Sequence, residues 1–213
     1  MVRNILLTPV GELQVNCYIL YCEKTKKCAI IDPGAEPEKI VRKIEGLNLT
    51  PVFVVLTHGH YDHIGGVNFL LAKYASNDIK LAAHEAEIEM LANPMINYSI
   101  MSGTGFSLKR PDLVLKDGDM IEISDELKLK TIHTPGHTFG GSCYLYDDKA
   151  LFSGDTLFLE SVGRTDLHGG SFEAISRSIK EKLFTLDGGL KVFPGHGPHT
   201  SIAHEKNHNM YLN

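Results

Sequence analysis

The segment Thr57-His58-Gly59-His60-Tyr61-Asp62-His63 places four side chains able to bind a metal within six residues. It follows the apolar run Val52-Phe53-Val54-Val55-Leu56 and precedes a helical pattern. At positions i and i+2 of an extended backbone, side chains point the same way, so His58 and His60 can share one ion. Asp62 and His63 follow where the chain turns into the helix, and they can face a second ion nearby. Gly59, Gly65 and Gly66 permit the close approach that such packing needs. The alternative is a polar loop that is merely rich in histidine. The density of ligands and their place between a buried strand and a helix argue against it.

Three more candidates follow apolar β segments downstream, each beside a glycine. They are His137 in Thr134-Pro135-Gly136-His137-Thr138, Asp155 in Ser153-Gly154-Asp155-Thr156, and His196 in Pro194-Gly195-His196-Gly197-Pro198. Loops at the ends of buried strands are where a rigid scaffold usually holds its site. Taken singly, each also has a purely structural reading. Together with the first motif they complete two coordination shells: His58, His60 and His137 for one ion, and Asp62, His63 and His196 for the other. Asp155, with two oxygens, can bridge them. Nitrogen and oxygen donors in this ratio suit two divalent ions, Zn²⁺ first, with iron and manganese compatible. Two ions roughly 3.5–4 Å apart can share a hydroxide and polarise a carbonyl at once.

These residues need strands to carry them. Leu13–Tyr21 and Cys28–Ile31 are β-rich and are separated by the charged turn 23–27. Pro37 opens a helix whose apolar stripe is Ile40, Val41, Ile44 and Leu47. Residues 52–56 form a continuous apolar run, as in a strand buried on both faces. A helix is expected over 67–74, a strand over 79–83 and another helix over 84–91. From Ala92 to Pro111 the periodicity fails, which predicts a long surface loop of the kind that forms lids or binding loops. Strands are expected near 113–115, 119–123, 127–133, 142–147, 149–153 and 190–193. Helices are expected from Ser171, with the stripe Phe172, Ile175, Ile179 and Leu183, and near 201–209. Two halves, each with strands and then helices, imply one domain over 1–213 in which two packed sheets carry helices outside.

Of the 213 residues, 43% are hydrophobic and 22% charged, which removes disordered and fibrous folds from consideration. A net charge of -5 leaves no electrostatic footprint for nucleic acid. The apolar run at Met1–Pro9 is too short for a signal peptide, and no run approaches a membrane span, so a cytoplasmic location and no membrane partner are expected. Cys17, Cys22, Cys28 and Cys143 show no metal or redox spacing and read as reduced thiols. Nothing in the sequence marks an oligomeric state.

HGHYDH, with His137, Asp155 and His196, resembles the motif set of the metallo-β-lactamase superfamily, in which Asp32 would be the first motif. The resemblance spans about residues 13–200. It implies an α/β (α+β) fold, a four-layer αββα sandwich with the metals at one edge of two sheets. It also implies that Asp32 is a buried carboxylate bracing the histidine loop rather than a ligand. The β-lactamases of this fold mostly have Cys where Asp155 stands and lack a counterpart of His63, so antibiotic hydrolysis is not expected. Its nucleases carry extra domains and basic surfaces, and its oxygen reductases replace a histidine with Glu.

Gly163-Arg164-Thr165-Asp166 resembles a stretch shared by glyoxalase II-like thioesterases and persulfide dioxygenases, although it is also good turn chemistry. Pro194-Gly195-His196-Gly197-Pro198 is similar to the small, single-domain glyoxalase II-like hydrolases. The resemblance thus implies a binuclear hydroxyacylglutathione hydrolase-type thioesterase acting on a small-molecule thioester. Asp62 would orient the attacking hydroxide by accepting its proton. Full-length glyoxalase II supplies basic residues to glutathione from a C-terminal helical domain, which residues 197–213 do not provide. Within the loop 93–110, Asn97, Tyr98, Lys109 and Arg110 are candidates to substitute, and Arg164 either fixes its loop or meets a substrate carboxylate. The competing expectations are a mononuclear iron persulfide dioxygenase, a lactonase of the same fold, and a structural metal-binding module. The last is disfavoured because such sites close their coordination with protein ligands. The other histidines read as packing or solvated groups, with His168 a candidate to line the pocket.

Overall fold

The computed structural model describes residues 4–103 and 105–212. Met1–Arg3 of the N-terminal run, Thr104 of the expected loop and Asn213 lie outside the described residues.

Six strands form the first sheet: β1 (Ile5–Val10), β2 (Val15–Tyr21), β3 (Lys27–Ile31), β4 (Thr50–Val55), β5 (Lys80–His84) and β6 (Leu113–Leu115). They lie in chain order, antiparallel from β1 to β3 and parallel from β3 to β6. The second sheet holds β7 (Met120–Ser124), β8 (Leu127–His133), β9 (Ser142–Tyr146), β10 (Ala150–Gly154), β13 (Lys191–Pro194) and β14 (Thr200–Ser201). Its order is β14-β13-β10-β9-β8-β7, and within it β10 and β13 are parallel. A small hairpin, β11 (Leu157–Phe158) and β12 (Ser161–Val162), leaves the end of β10.

Side-chain alternation explains the layering. In β2, Tyr18 and Leu20 point into a core between the sheets, where they join Ile31, Val55, Ile121, Leu129, Tyr144 and Phe152. Cys17 and Ile19 point the other way, against Ile40 and Ile44 of α1 (Pro37–Gly46) and Val67 and Leu70 of α3 (Val67–Lys73). On the far side, Cys143, Leu151 and Val192 meet Ile175 and Ile179 of α5 (Phe172–Glu181) and Ile202 of α6 (Ile202–His208). Strands buried on both faces read as unbroken apolar runs, and the four layers follow. The expected αββα sandwich is what the chain forms. All four cysteines are buried and free, and among the described residues no helix is long and apolar enough to cross a membrane.

Several local expectations need correction. The N-terminal apolar run supplies β1, paired along its length with β2. Leu47 ends α1 and is exposed, and Phe172 at the start of α5 is exposed too, so both stripes are shorter than the periodicity suggests. The helix expected over 84–91 is α4 (Ile88–Ala92), preceded by a 3-10 turn at 85–87 that His84 caps from the end of β5. The 92–111 segment contains a 3-10 turn, Ser99–Ser102, anchored by wholly buried Asn97 and Ser99.

Candidate metal centre

Strands β3, β4, β10 and β13 release the chain at one end of the sandwich, and Asp32, Thr57–His63, Asp155 and His196 sit just past those ends. The β8–β9 connection brings in His137, and the short helix α2 (Tyr61–Ile64) carries Asp62 and His63. Three sets of donor atoms converge within 4.8 Å: His58, His60 and His137; His58, His63 and Asp155; and Asp62, His63 and His196. The first and third are the two shells read from the sequence. Asp155 lies between them, with Oδ1 3.4 Å from His63 Nε2 and Oδ2 3.7 Å from His137 Nε2 and 3.6 Å from His196 Nε2.

Four of the five imidazoles are aimed by their other nitrogen. His63 Nδ1 donates to Asp32 Oδ2 at 3.0 Å. Thr57 Oγ1 also donates to that oxygen, at 2.6 Å, and stands 3.1 Å from His58 Nδ1 as an acceptor, so Asp32 braces His63 directly and His58 through Thr57. The Thr57 amide donates to the other Asp32 oxygen at 2.8 Å. His137 Nδ1 donates to the Arg164 carbonyl at 2.8 Å and His196 Nδ1 to the Leu13 carbonyl at 3.0 Å. Such partners fix the tautomer that leaves Nε2 free to bind. His60 is reversed, with Nδ1 2.9 Å from His137 Nε2.

These residues fit a divalent ion on structural grounds. His58 Nε2 and Asp155 Oδ1 are buried without a hydrogen-bond partner, a costly state that a cation relieves. Facing imidazole nitrogens, such as His63 Nε2 and His196 Nε2 at 3.3 Å, need a proton or cation between them. Burial, then the neighbouring histidines, hold His58 far below its ordinary value, and burial with His137 pushes His60 down to about 3, so both are neutral donors. Burial alone would depress His63, but Asp155, Asp62 and Asp32 raise it to about 10. Burial would raise Asp62, but His63 and His196 hold it well below the usual carboxylate range. The carboxylate side thus carries the charge that draws a cation. Gly195 must lack a side chain, because a Cβ there would run into Asp155 Oδ1 and the His63 ring.

His60, Asp62, His137, Asp155 and His196 face a cavity of about 610 Å³, which Tyr98 and Arg164 also line. Arg164 forks onto Asp166 through two 2.8 Å bonds, and Tyr98 accepts the His168 amide at 3.0 Å. Asn97, Lys109 and Arg110 do not line this cavity. Asn97 is buried in its own loop, where it bonds the Phe106 carbonyl, and Lys109 pairs with Asp112. His168 does not line it either; its ring packs on Phe139.

Sequence reasoning missed two supports. Glu87 is buried and accepts the amides of Gly59 and Gly140, both at 2.7 Å, tying the histidine motif to the loop after His137. Asn16 donates to the carbonyls of Pro194 and Gly197, at 3.0 and 2.9 Å, and so holds the His196 turn. The apolar lining residues Leu13, Met101, Phe158 and Leu167 were missed as well.

Comparison with known proteins agrees with this geometry. The metallo-beta-lactamase superfamily model matches residues 10–201. The probable metallo-hydrolase YqgX of Bacillus subtilis (strain 168) is 39% identical over 207 residues, covering 96% of this chain and 95% of that protein. The hydroxyacylglutathione hydrolase GloC of Haemophilus influenzae is 33% identical, covering 99% and 98%. The crystal structure of BLEG-1 B3 metallo-beta-lactamase has a TM-score of 0.90 at 35% identity, covering 98% of this chain and 99% of that one. The donor cluster at the strand ends, the four layers and these relatives together make this chain a member of the metallo-β-lactamase superfamily and one of its metallo-hydrolases.

Proposed function

We propose that the chain is a two-metal thioester hydrolase of the hydroxyacylglutathione hydrolase type. The observation that carries this reading is a donor cluster sharing Asp155 at a cavity that, among the described residues, presents no carboxylic acid or imidazole outside the cluster. His58, His60 and His137 would hold one ion and Asp62, His63 and His196 the other, with Asp155 common to both; the donors suit zinc, and iron or manganese as well. When bound, the metals supply activated water at neutral pH and polarise a carbonyl.

The chain's own residues do the rest. Asp62 stays ionised and is therefore an acceptor only, suited to orient water by taking its proton. Asp32, Arg164 and Leu13 hold the imidazoles still. Among the described lining residues no carboxylic acid or imidazole outside the cluster is placed to protonate a leaving group, and the phenols of Tyr61 and Tyr98 are weak acids, which disfavours alkoxides. A thiolate, whose conjugate acid has a pKa of about 8.5, leaves without that help. The GloC relative supports the same reading.

The test compares kcat/KM of zinc-, iron- and manganese-loaded protein on S-lactoylglutathione, a matched oxygen ester, a lactone and a chromogenic β-lactam. Oxygen uptake with glutathione persulfide is measured alongside. Thioester turnover on the order of 100-fold above the oxygen ester is expected, the size of a missing general acid. Dominant lactone or β-lactam hydrolysis, or oxygen uptake by the iron form, overturns the reading.

A further inference from the structure

Seven residues line the metal cavity besides the donors: Leu13, Tyr61, Tyr98, Met101, Phe158, Leu167 and Arg164. Six of them present apolar or aromatic surface. The seventh, Arg164, is already forked onto Asp166, so a substrate carboxylate would have to compete for it. The four purely apolar side chains come from separate segments: the β1–β2 turn, the 3-10 turn Ser99–Ser102, the β11–β12 hairpin and the loop after it. Leu13 is 52% exposed and Met101 77%, so this wall meets water. Exposed apolar side chains gathered on one cleft mark a place where something apolar binds.

The cleft also continues. A second cavity of about 540 Å³ shares Leu13, Tyr61, Asp62 and Met101 with the first. Its charged side chains, Glu12, Glu36 and Asp62, are all acidic, which disfavours an anionic arm. An occupant reaching past the donors therefore needs length and no negative charge.

We infer that the acyl group of the substrate is an apolar chain that lies along Leu13, Met101, Phe158 and Leu167. This rests on the thioesterase reading, since the occupant of a wall beside the reacting carbon is whatever that carbon carries. Water adds to the carbonyl carbon, the C–S bond breaks with its electron pair going to sulfur, and the products are the carboxylic acid and the thiol. The acid loses its proton and is then a carboxylate beside Asp62, whose charge favours its release. Thiol carriers are polar and gain little from an apolar wall, which leaves that wall for the acyl chain.

The experiment has one arm that needs no turnover. Binding of butanoate, hexanoate and octanoate to the zinc-loaded protein is measured by calorimetry. A fully buried methylene is worth about fourfold in affinity. Against a partly open wall, octanoate is expected to bind about tenfold more tightly than butanoate. Met101→Ser and Leu13→Ser should flatten that slope; Met101 is exposed enough for its variant to fold, as metal content and melting temperature check. In the second arm, kcat/KM for acyl-N-acetylcysteamine thioesters should rise from acetyl to octanoyl, with butanoyl above lactoyl. A flat carboxylate series, a lactoyl preference, or a steeper rise when the thiol rather than the acyl chain is lengthened overturns the inference. Turnover with flat series sinks only the acyl assignment, whereas a sloped binding series without thioester turnover sinks the thioesterase reading and with it the acyl assignment, leaving a wall that binds apolar chains.

Discussion

Among the described residues, Asp155 is the side chain whose two oxygens face both donor sets. Its replacement by alanine should therefore remove metal from both positions, whereas His63→Ala should spare the set His58, His60 and His137. Elemental analysis of the two variants, purified under identical metal-replete conditions, is expected to give near-zero and about one equivalent, with turnover of the Asp155 variant lower by a factor of 10² or more. Full metal content in Asp155→Ala would overturn the proposed bridging role. These donors were visible in the sequence because His58, His60, His137, Asp155 and His196 each stand beside a glycine just after an apolar segment, and Asp62 and His63 follow within the same dense motif. Glu87 was invisible for the opposite reason. It stands among Glu85 and Glu89 as an ordinary helical acid, and only the tertiary convergence of the Gly59 and Gly140 amides gives it a role. Leu13 and Met101 were equally hidden, because an apolar residue in a turn carries no periodicity to mark what it faces.

Among the elements, α6 does more than close the chain. Its buried Glu205 accepts the Glu160 amide at 2.9 Å, the Thr200 hydroxyl at 2.5 Å and the Asn209 side chain at 2.8 Å, while Asn209 also donates to the Ser161 carbonyl. The helix thereby clamps the turn of the β11–β12 hairpin, which delivers Phe158 to the cavity. Glu205→Ala leaves three donors short of an acceptor and should cost about 3 kcal/mol in denaturant unfolding. It should raise KM more than it lowers kcat, because the donor cluster is untouched. Glu205→Gln keeps an acceptor and should lose less; equal losses would show that volume rather than hydrogen bonding matters there. The long strands and helices were readable from period-2 and period-3.6 patterns. The two-residue strands of this hairpin were not, since they are too short to show a period and rest on α6 for support.

Across the whole molecule, the two sheets meet at a pair of stacked imidazoles. His84 ends β5 in one sheet and His133 ends β8 in the other, with ring centroids 3.9 Å apart and planes inclined by 13°. Burial first, then His133 and Lys182, push His84 down to about 4, against the opposing pull of Glu85 and Asp117. The unfolded chain takes up this proton near pH 6.5 and the folded chain only near 4. The contribution to stability is thus whole above that window and is lost as pH falls through it. Allowing for solvent screening, the loss should be about 2 kcal/mol. Denaturant titrations of wild type and His84→Gln at pH 7.5 and 4.5, both metal-loaded, isolate it, because the ligand histidines titrate alike in both. Parallel losses in the two proteins would refute it.

One feature of the centre reaches further than its chemistry. His137 and His196 are aimed by the main-chain carbonyls of Arg164 and Leu13, while the side chains of those same residues face the cavity. A carbonyl is present whatever residue occupies the position. On the reading proposed above, mutation at 13 or 164 therefore reshapes what the cavity accepts without turning either imidazole out of line. Selection for new substrates and selection to keep the hydrolytic centre then act on different atoms of the same residues, so drift in these loops explores specificity while the chemistry is inherited intact.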